Sequence, residues 1–317
     1  YSYAKYISAN YEYNYRLFFL SISLFFLFQS VKAQNTGNVA IGEWREHLPF
    51  SRGISVCQND KFVYCATNNG VVIYKKDDGT TERLSRSTGL TDINLSCVNY
   101  HEESSTLVIG YKNGNLDLVR NNEVVNVGDI KRSTVVQGGK TINAIRFIND
   151  RAYLCCNFGI VTNREVRTTL YPSLLNPDIH DVVFDGVNTI YAATSKGLFS
   201  ADINNPALPY YVAWTQDPVI GTVPLNNLTW FNGAIYTSRY VDNAQDQDTL
   251  YQLKDGQLEV FRTGQTIHSI NSRPERMVYT TNYGATMVDS GSLYIENVLS
   301  YSDILLPLNP KISGQTP

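Results

Sequence analysis

The feature that most restricts the fold of this 317-residue chain is a unit that returns about every 44 residues. An aromatic or apolar residue is followed six positions later by glycine: Tyr64-Cys-Ala-Thr-Asn-Asn-Gly70, Val108-Ile-Gly-Tyr-Lys-Asn-Gly114 and Tyr153-Leu-Cys-Cys-Asn-Phe-Gly159. The same pattern returns as Tyr191-Ala-Ala-Thr-Ser-Lys-Gly197 and Val278-Tyr-Thr-Thr-Asn-Tyr-Gly284. The interval from Gly197 to Gly284 is close to two periods, and a degenerate unit lies inside it. Ala234-Ile-Tyr-Thr-Ser-Arg239 supplies its strand, and a polar insertion from Asp242 to Asp248 replaces the tight turn. Six units result. Within a unit, strand-like stretches alternate with turn residues, as in Ile179–Phe184, Asp185–Asn188, Thr189–Ala193, Thr194–Gly197 and Leu198–Ala201. Gly70, Gly114, Gly159, Gly197 and Gly284 are read as structural turn residues, because glycine takes positive φ without steric cost. Strand, turn, strand at this period marks the blades of a β-propeller. A β-sandwich would show no unit-length repeat and would not fill the chain. The 22 tyrosines and the many Val, Ile and Thr residues favour the same all-β class, and no segment has helical periodicity.

A propeller must close its ring or leave exposed strand edges. Ile41-Gly-Glu-Trp-Arg-Glu-His-Leu48, centred on Trp44, precedes the first unit and is expected to give the outer strand of the last blade. Residues 301–308 begin a further unit. Six units plus one shared between the termini predict seven four-stranded blades over residues 41–317, with blade seven incomplete at its C-terminal share.

Residues 1–33 read as a signal peptide. A 12-residue apolar run, 17–28, follows Arg16, and Val31 and Ala33 occupy the small-residue positions of a cleavage site before Gln34. The run is too short to span a bilayer, although an N-terminal anchor is the competing reading. No cysteine follows it directly, which argues against a lipoprotein. Residues 34–40 form a linker, and no spanning helix is expected after signal removal. The chain opens on Tyr1 rather than Met, so its true start is expected upstream. An exported protein follows, at the cell surface or in the periplasm. The formal charge of −3, with no basic stripe, points away from nucleic acid.

The remaining chemistry is sparse. Cys57, Cys65, Cys97, Cys155 and Cys156 lie in apolar stretches, and an odd count without paired short spacings is no disulfide framework. They read as buried thiols; a Cys57–Cys65 hairpin bridge is the alternative. His47, His101, His180 and His268 are scattered, so no metal site is expected. Asp242, Asp246 and Asp248 share a loop that lacks the glycine and terminal glutamate of a calcium-binding hand, and a solvated polar loop is preferred. Glu102-Glu103 reads as a hairpin tip. Nucleophile elbow, phosphate loop and zinc-protease motifs are missing, so no enzyme and no cofactor are predicted.

One pattern goes beyond the turns. Five units open on aliphatic, small polar, any, aliphatic: Leu95-Ser-Cys-Val98, Ile142-Asn-Ala-Ile145, Ile179-His-Asp-Val182, Leu225-Asn-Asn-Leu228 and Ile267-His-Ser-Ile270. In a propeller these begin the strands nearest the axis. Ser96, Asn143, His180, Asn226 and His268 would then ring one mouth of the channel. The preferred reading is that they satisfy backbone groups at the turn into each blade. The functional alternative is a rim that contacts a partner, since repeat folds place binding on one face.

Two sets of residues carry a family resemblance. Ser87-Thr-Gly-Leu-Thr-Asp92 with Thr106-Leu-Val-Ile-Gly-Tyr-Lys-Asn-Gly-Asn115 resembles a two-component-regulator propeller repeat. More specific is the ordered set Trp44-Arg-Glu-His-Leu-Pro49, Tyr64-Cys-Ala-Thr67, Gly110-Tyr-Lys-Asn-Gly-Asn-Leu-Asp117, Gly128-Asp-Ile-Lys-Arg132, Lys140-Thr-Ile-Asn143 and Phe158-Gly-Ile-Val161. Over about residues 41–305 these are similar to the N-terminal propeller of the PorZ-like family of Bacteroidetes. The resemblance implies a non-enzymatic surface component of type IX secretion at the outer membrane. It implies protein partners in the attachment complex, and anionic lipopolysaccharide met through domains outside this segment. The competing functions are a ligand-sensing propeller of a hybrid two-component regulator and a propeller enzyme acting on glycans.

Overall fold

The computed structural model describes residues 48–136, 138–149, 151–163, 168–170, 177–208, 210–290 and 292–299, and statements of structure refer to these. They form 24 strands in six four-stranded antiparallel sheets, each a meander of consecutive strands. Blade 1 holds β1 (Gly53–Gln58), β2 (Phe62–Thr67), β3 (Gly70–Lys75) and β4 (Thr81–Ser85). Blade 2 holds β5 (Leu95–His101), β6 (Thr106–Tyr111), β7 (Leu116–Arg120) and β8 (Glu123–Val127). Blade 3 holds β9 (Ile142–Ile148), β10 (Arg151–Cys156), β11 (Gly159–Asn163) and β12 (Thr168–Leu170). Blade 4 holds β13 (Ile179–Phe184), β14 (Thr189–Thr194), β15 (Gly197–Asp202) and the two-residue β16 (Thr215–Gln216). Blade 5 holds β17 (Leu225–Phe231), β18 (Ala234–Arg239), β19 (Asp248–Lys254) and β20 (Gln257–Gln265). Blade 6 holds β21 (Ile267–Arg273), β22 (Arg276–Thr281), β23 (Gly284–Asp289) and β24 (Ser292–Leu299). The chain is an all-β propeller.

The middle strands are apolar on both faces because each blade is sandwiched between two others. In β6, Leu107, Ile109 and Tyr111 pack toward blade 1 while Val108 faces blade 3. In β10, Leu154 and Cys156 face blade 2 while Tyr153 and Cys155 face blade 4. A strand covered on both sides needs no polar alternation, which is why these stretches read as continuous apolar runs. Each fully buried Leu or Ile contributes about 1.5–3 kcal/mol by leaving water. Ile109, Ile142, Leu225 and Leu250 are all at 0% exposure.

The five repeat glycines lie at the turn between the second and third strand of their blades. At Gly197, φ is +114°, and a Cβ would stand 2.0 Å from the Gly221 carbonyl oxygen. Neither the backbone angle nor the space admits another residue there. Blade 5 replaces this tight turn by the loop 240–247 between β18 and β19, so its strands start farther apart in sequence.

First strands pack side by side in the order β1, β5, β9, β13, β17, β21, and five hydrophobic clusters fill the five junctions between successive blades. Among the described residues no contact of like extent joins β21 back to β1. The blade count is six, not the seven expected. Each repeat unit completes a four-stranded sheet from its own sequence, so none of these blades borrows a strand from the termini. Of the segments expected to build blade seven, residues 41–47, Trp44 included, and 301–308 lie outside the described residues. Leu48 is described and belongs to no strand. Residues 1–40, read as signal peptide and linker, lie outside them as well. Among the described residues helix is confined to one turn, α1 (Asp129–Arg132), and two short 3-10 turns, and none is long and apolar enough to cross a membrane.

Candidate functional site

The first strands surround a central channel, and their polar side chains tie each blade to the next. Ser55 Oγ in β1 accepts from the Val98 amide of β5 at 3.1 Å. Asn99 Nδ2 in β5 donates to the Ile145 carbonyl of β9 at 2.8 Å, and the Cys97 thiol donates to the Ile142 carbonyl. Asn143 Nδ2 in β9 donates to the Ile179 carbonyl of β13 at 2.8 Å. Between blades 5 and 6, the Thr229 and Ser272 hydroxyls lie 2.7 Å apart, and Ser272 Oγ donates to the Trp230 carbonyl at 2.8 Å. First strands of different blades do not pair as sheets, so side chains supply the bonds that backbone ladders cannot.

The strongest of these ties is charged. Arg146 in β9 donates from Nε to Asp181 Oδ1 and from Nη2 to Asp181 Oδ2, both at 2.7 Å. Asp181, only 5% exposed, also accepts from its neighbour's amide, Val182, at 2.9 Å and from the Leu228 amide of β17 at 3.2 Å. One carboxylate therefore joins blades 3, 4 and 5 through a fork-to-fork pair, a geometry suited to arginine rather than lysine. Asp181 stands directly after the ring residue His180, but nothing in the local sequence distinguishes it; Arg146 lies 35 positions earlier.

Asn143, His180, Asn226 and His268 border one cavity of about 540 Å³ at the channel, together with the Arg146–Asp181 pair. Ser96 does not border it; its hydroxyl turns toward the Cys97 sulfur. Asn143 also bonds Asn157 Oδ1 at 2.9 Å, and His268 Nε2 lies 2.7 Å from Asn282 Oδ1. His180 lies 5.6 Å from the Tyr240 ring and hydrogen-bonds the Leu225 backbone, while its Nδ1 is buried without a partner among the described residues. Burial pushes its pKa down, against the opposing pull of Asp178, the Leu225 bond, Asp181 and Asp242. Asn226 is exposed. Asn143 and His180 thus bond backbone of the following blade rather than of their own entry turn.

Three of the stretches that carried the family resemblance meet at blade 2. Asp117 is fully buried and accepts from Tyr111 Oη at 2.6 Å, Thr91 Oγ1 at 2.5 Å, the Thr91 amide at 2.9 Å and Asn126 Nδ2 at 2.9 Å. Asp92 meets Lys131 Nζ at 2.6 Å and Asn113 Nδ2 at 2.7 Å. Three stretches distant in sequence, 87–92, 110–117 and 128–132, converge on one network.

All five cysteines are free thiols, four of them buried. The hairpin bridge is not formed: Cys57 faces Tyr64 across the strands and Cys65 faces Val56, so their side chains leave opposite sides of the sheet. Burial raises the Cys97 thiol to about 12, which leaves it unreactive. In the blade 5 loop, Asp246 accepts from Thr266, Asn282 and Tyr283, and Asp248 from the amides of Val241 and Ile267. These carboxylates are spent on fixing the loop. Among the described residues no three His, Cys, Asp or Glu side chains converge as metal ligands. Glu102 and Glu103 are exposed at the β5–β6 turn.

Residues 63–215 match the family described as TSS9, PorZ, N-terminal beta-propeller domain. Among solved structures, PorZ, described as an essential bacterial surface component of the type IX secretion system of Porphyromonas gingivalis, aligns at TM-score 0.62 and 18% identity, covering 77% of this chain and 32% of its own. The chain thus spans about a third of the length of that PorZ chain. The WD40 propeller of Doa1 aligns at TM-score 0.54 and 13% identity, over 78% of this chain and 82% of its own. The extracellular domain of the hybrid two-component system BT4673 of B. thetaiotaomicron aligns at TM-score 0.46 and 9% identity, over 80% and 42%. No curated protein matches the sequence.

Proposed function

We propose that this chain, which carries a PorZ-like propeller, acts as a non-enzymatic, exported interaction component of the type IX secretion machinery at the outer-membrane surface. The observation that carries the reading is the family match over residues 63–215. The convergence of the blade 2 motifs on Asp117 and Asp92 supports it, because it gives those motifs one shared structural purpose. Residues 1–33 act as the signal peptide that exports the chain.

Protein partners of the attachment complex meet the propeller at the channel mouth, where Asn143, His180, Asn226 and His268 stand, with Ser96 beside it. Anionic lipopolysaccharide is engaged by domains beyond this segment. A non-enzymatic role is supported by how the channel's acid and imidazole groups are used: both Asp181 oxygens are held by Arg146, Val182 and Leu228 donors, and His268 is held by Asn282. A general base poised for catalysis would instead face open space.

Two measurements test the reading. Protease treatment of intact cells followed by affinity capture of a tagged chain should show surface exposure and co-purification with protein components of the attachment complex. A cytoplasmic location, or normal cargo attachment in a deletion strain, would overturn it. For the mouth itself, Asn143→Ala with His268→Ala should abolish partner capture in a chain that remains folded, with the lost Asn143 tie lowering only the urea midpoint. Lower stability with intact capture would reduce these side chains to a structural role.

A further inference from the structure

The central channel has two chemically different halves that meet at Arg146. The polar half is the 540 Å³ cavity bordered by the amides and imidazoles of the mouth. The other half, about 480 Å³, is bordered by Phe147, Val183, Phe184 and Trp230, with Asn149 and Thr229 among them. Arg146, Ile270, Asn271 and Ser272 border both. Arg146 sits deep in the molecule, yet about a third of its side chain (34%) is exposed, because it forms the wall where the halves join. Its Nε and Nη2 are bound to Asp181; its Nη1 makes no hydrogen bond among the described residues. Asp181 borders only the polar half, and both of its oxygens are held by the Arg146, Val182 and Leu228 donors.

This arrangement is a preorganised anion anchor. The fork to Asp181 has already fixed the guanidinium, so a ligand meeting Nη1 immobilises little more of it. The free Nη1 donors suit a carboxylate. Beside that anchor, on one side, lie aromatic and aliphatic side chains; on the other lie neutral amides that can both donate and accept. A molecule that carries a carboxylate and an apolar group on one carbon, followed by a run of amides, is the C-terminal end of a peptide.

We infer that the channel binds the C-terminus of a peptide, with its α-carboxylate on Arg146 Nη1, its last side chain in the Phe184–Trp230 half, and its preceding amides along the Asn143–Asn226 half. The inference rests on reading the chain as an interaction component and names what it would grip. An acidic sugar would also offer a carboxylate, but it carries no apolar side chain to cover Phe147, Phe184 and Trp230.

The test uses the purified chain and a fluorescein-labelled mixture of tetrapeptides, randomised at three positions and ending in phenylalanine, as free acid and as C-terminal amide. Fluorescence anisotropy should show the acid binding about tenfold or more tighter than the amide, the effect of one charge-assisted contact. The double variant Arg146→Gln/Asp181→Asn, which keeps a neutral hydrogen-bonded pair, should lose that preference. Phe184→Ala should weaken the phenylalanine-ended acid while leaving the acid-to-amide ratio intact, and it answers the question if the double variant does not fold. Equal binding of acid and amide, no binding at all, a preference that survives the double variant, or a uronic-acid disaccharide displacing the probe in an Arg146-dependent way would each overturn the inference. Surface capture of the unaltered chain with components of the attachment complex is scored separately, so the functional reading can stand when this one falls.

Discussion

Blade 2 and the long loop of blade 5 between β18 and β19 solve the same problem with the same residue type and with different consequences. In blade 2, Asp117 takes four donors inside a fully buried pocket. In the loop, Asp246 also takes four, from Tyr283 Oη at 2.7 Å, the Thr266 amide at 3.1 Å, Asn282 Nδ2 at 3.2 Å and Thr266 Oγ1 at 3.3 Å, but it does so at the surface. The bond count is equal. What differs is whether water can replace a lost partner. A buried donor stripped of its acceptor bears the full desolvation penalty, while a surface donor turns to solvent. The difference teaches that burial, rather than the number of bonds, ranks these aspartates.

The comparison breaks most readily at its extreme case, Asp181, which is buried and also paired with a charge. Asp181→Ala should cost about 3–5 kcal/mol in urea unfolding, since it strands the Arg146 charge beside the channel. Arg146→Met/Asp181→Leu should regain most of that loss. A cost for the single variant no larger than that of a surface substitution would show that the pair is freely solvated. Next comes Asp117→Ala, expected at about 3 kcal/mol because the buried Tyr111 hydroxyl is left without its acceptor. Tyr111→Phe should cost less than half as much, because it leaves Asp117 three donors; equal costs would place the energy in the single Tyr111–Asp117 bond rather than in the shared network.

A smaller effect is set by pH. The folded pKa of His180 lies below its ordinary value of about 6.5, chiefly through burial. The unfolded chain therefore binds the proton more readily, so stability should fall as pH drops from about 6.5 toward the folded pKa, with no change above. Urea midpoints at several pH values in wild type and His180→Gln check this, and an unchanged slope in the variant would assign the effect elsewhere. The least effect is expected from Asp246→Asn, whose urea midpoint near pH 7 should be hard to separate from wild type. The Tyr283 bond first of all holds the Asp246 pKa down. Its contribution is present at neutral pH and is lost only as pH falls through the folded pKa, below about 4. A loss as large as that of Asp117→Ala would undo the ranking by burial.

Much of the fold is legible in the sequence because propeller blades are local. The stretch from Ile179 to Ala201 spells out strands and turns that the structure reproduces as β13, β14 and β15, and even the degenerate unit at Ala234–Arg239 is β18. The aliphatic–polar pattern correctly locates the starts of β5, β9, β13, β17 and β21. The count of seven blades went beyond this local logic: it required a pairing between the two ends of the chain, and no repeat can encode that. Ser96 shows a second limit, since a position in the pattern does not fix which way a side chain turns.

What the sequence by itself determined is the unit: its strands, its turns, and the apolar faces that must be covered on both sides. That information is local, carried by β-branched and aromatic residues and by glycines where another side chain would collide. What only the tertiary structure decided is which polar residues of different units meet. Arg146 and Asp181 stand 35 positions apart on strands that share no backbone ladder, and Thr91, Tyr111, Asp117 and Asn126 come together only when blade 2 has closed. Such pairs follow from the packing of one blade against the next, where a charge or hydroxyl leaving water must find the partner that geometry places opposite it.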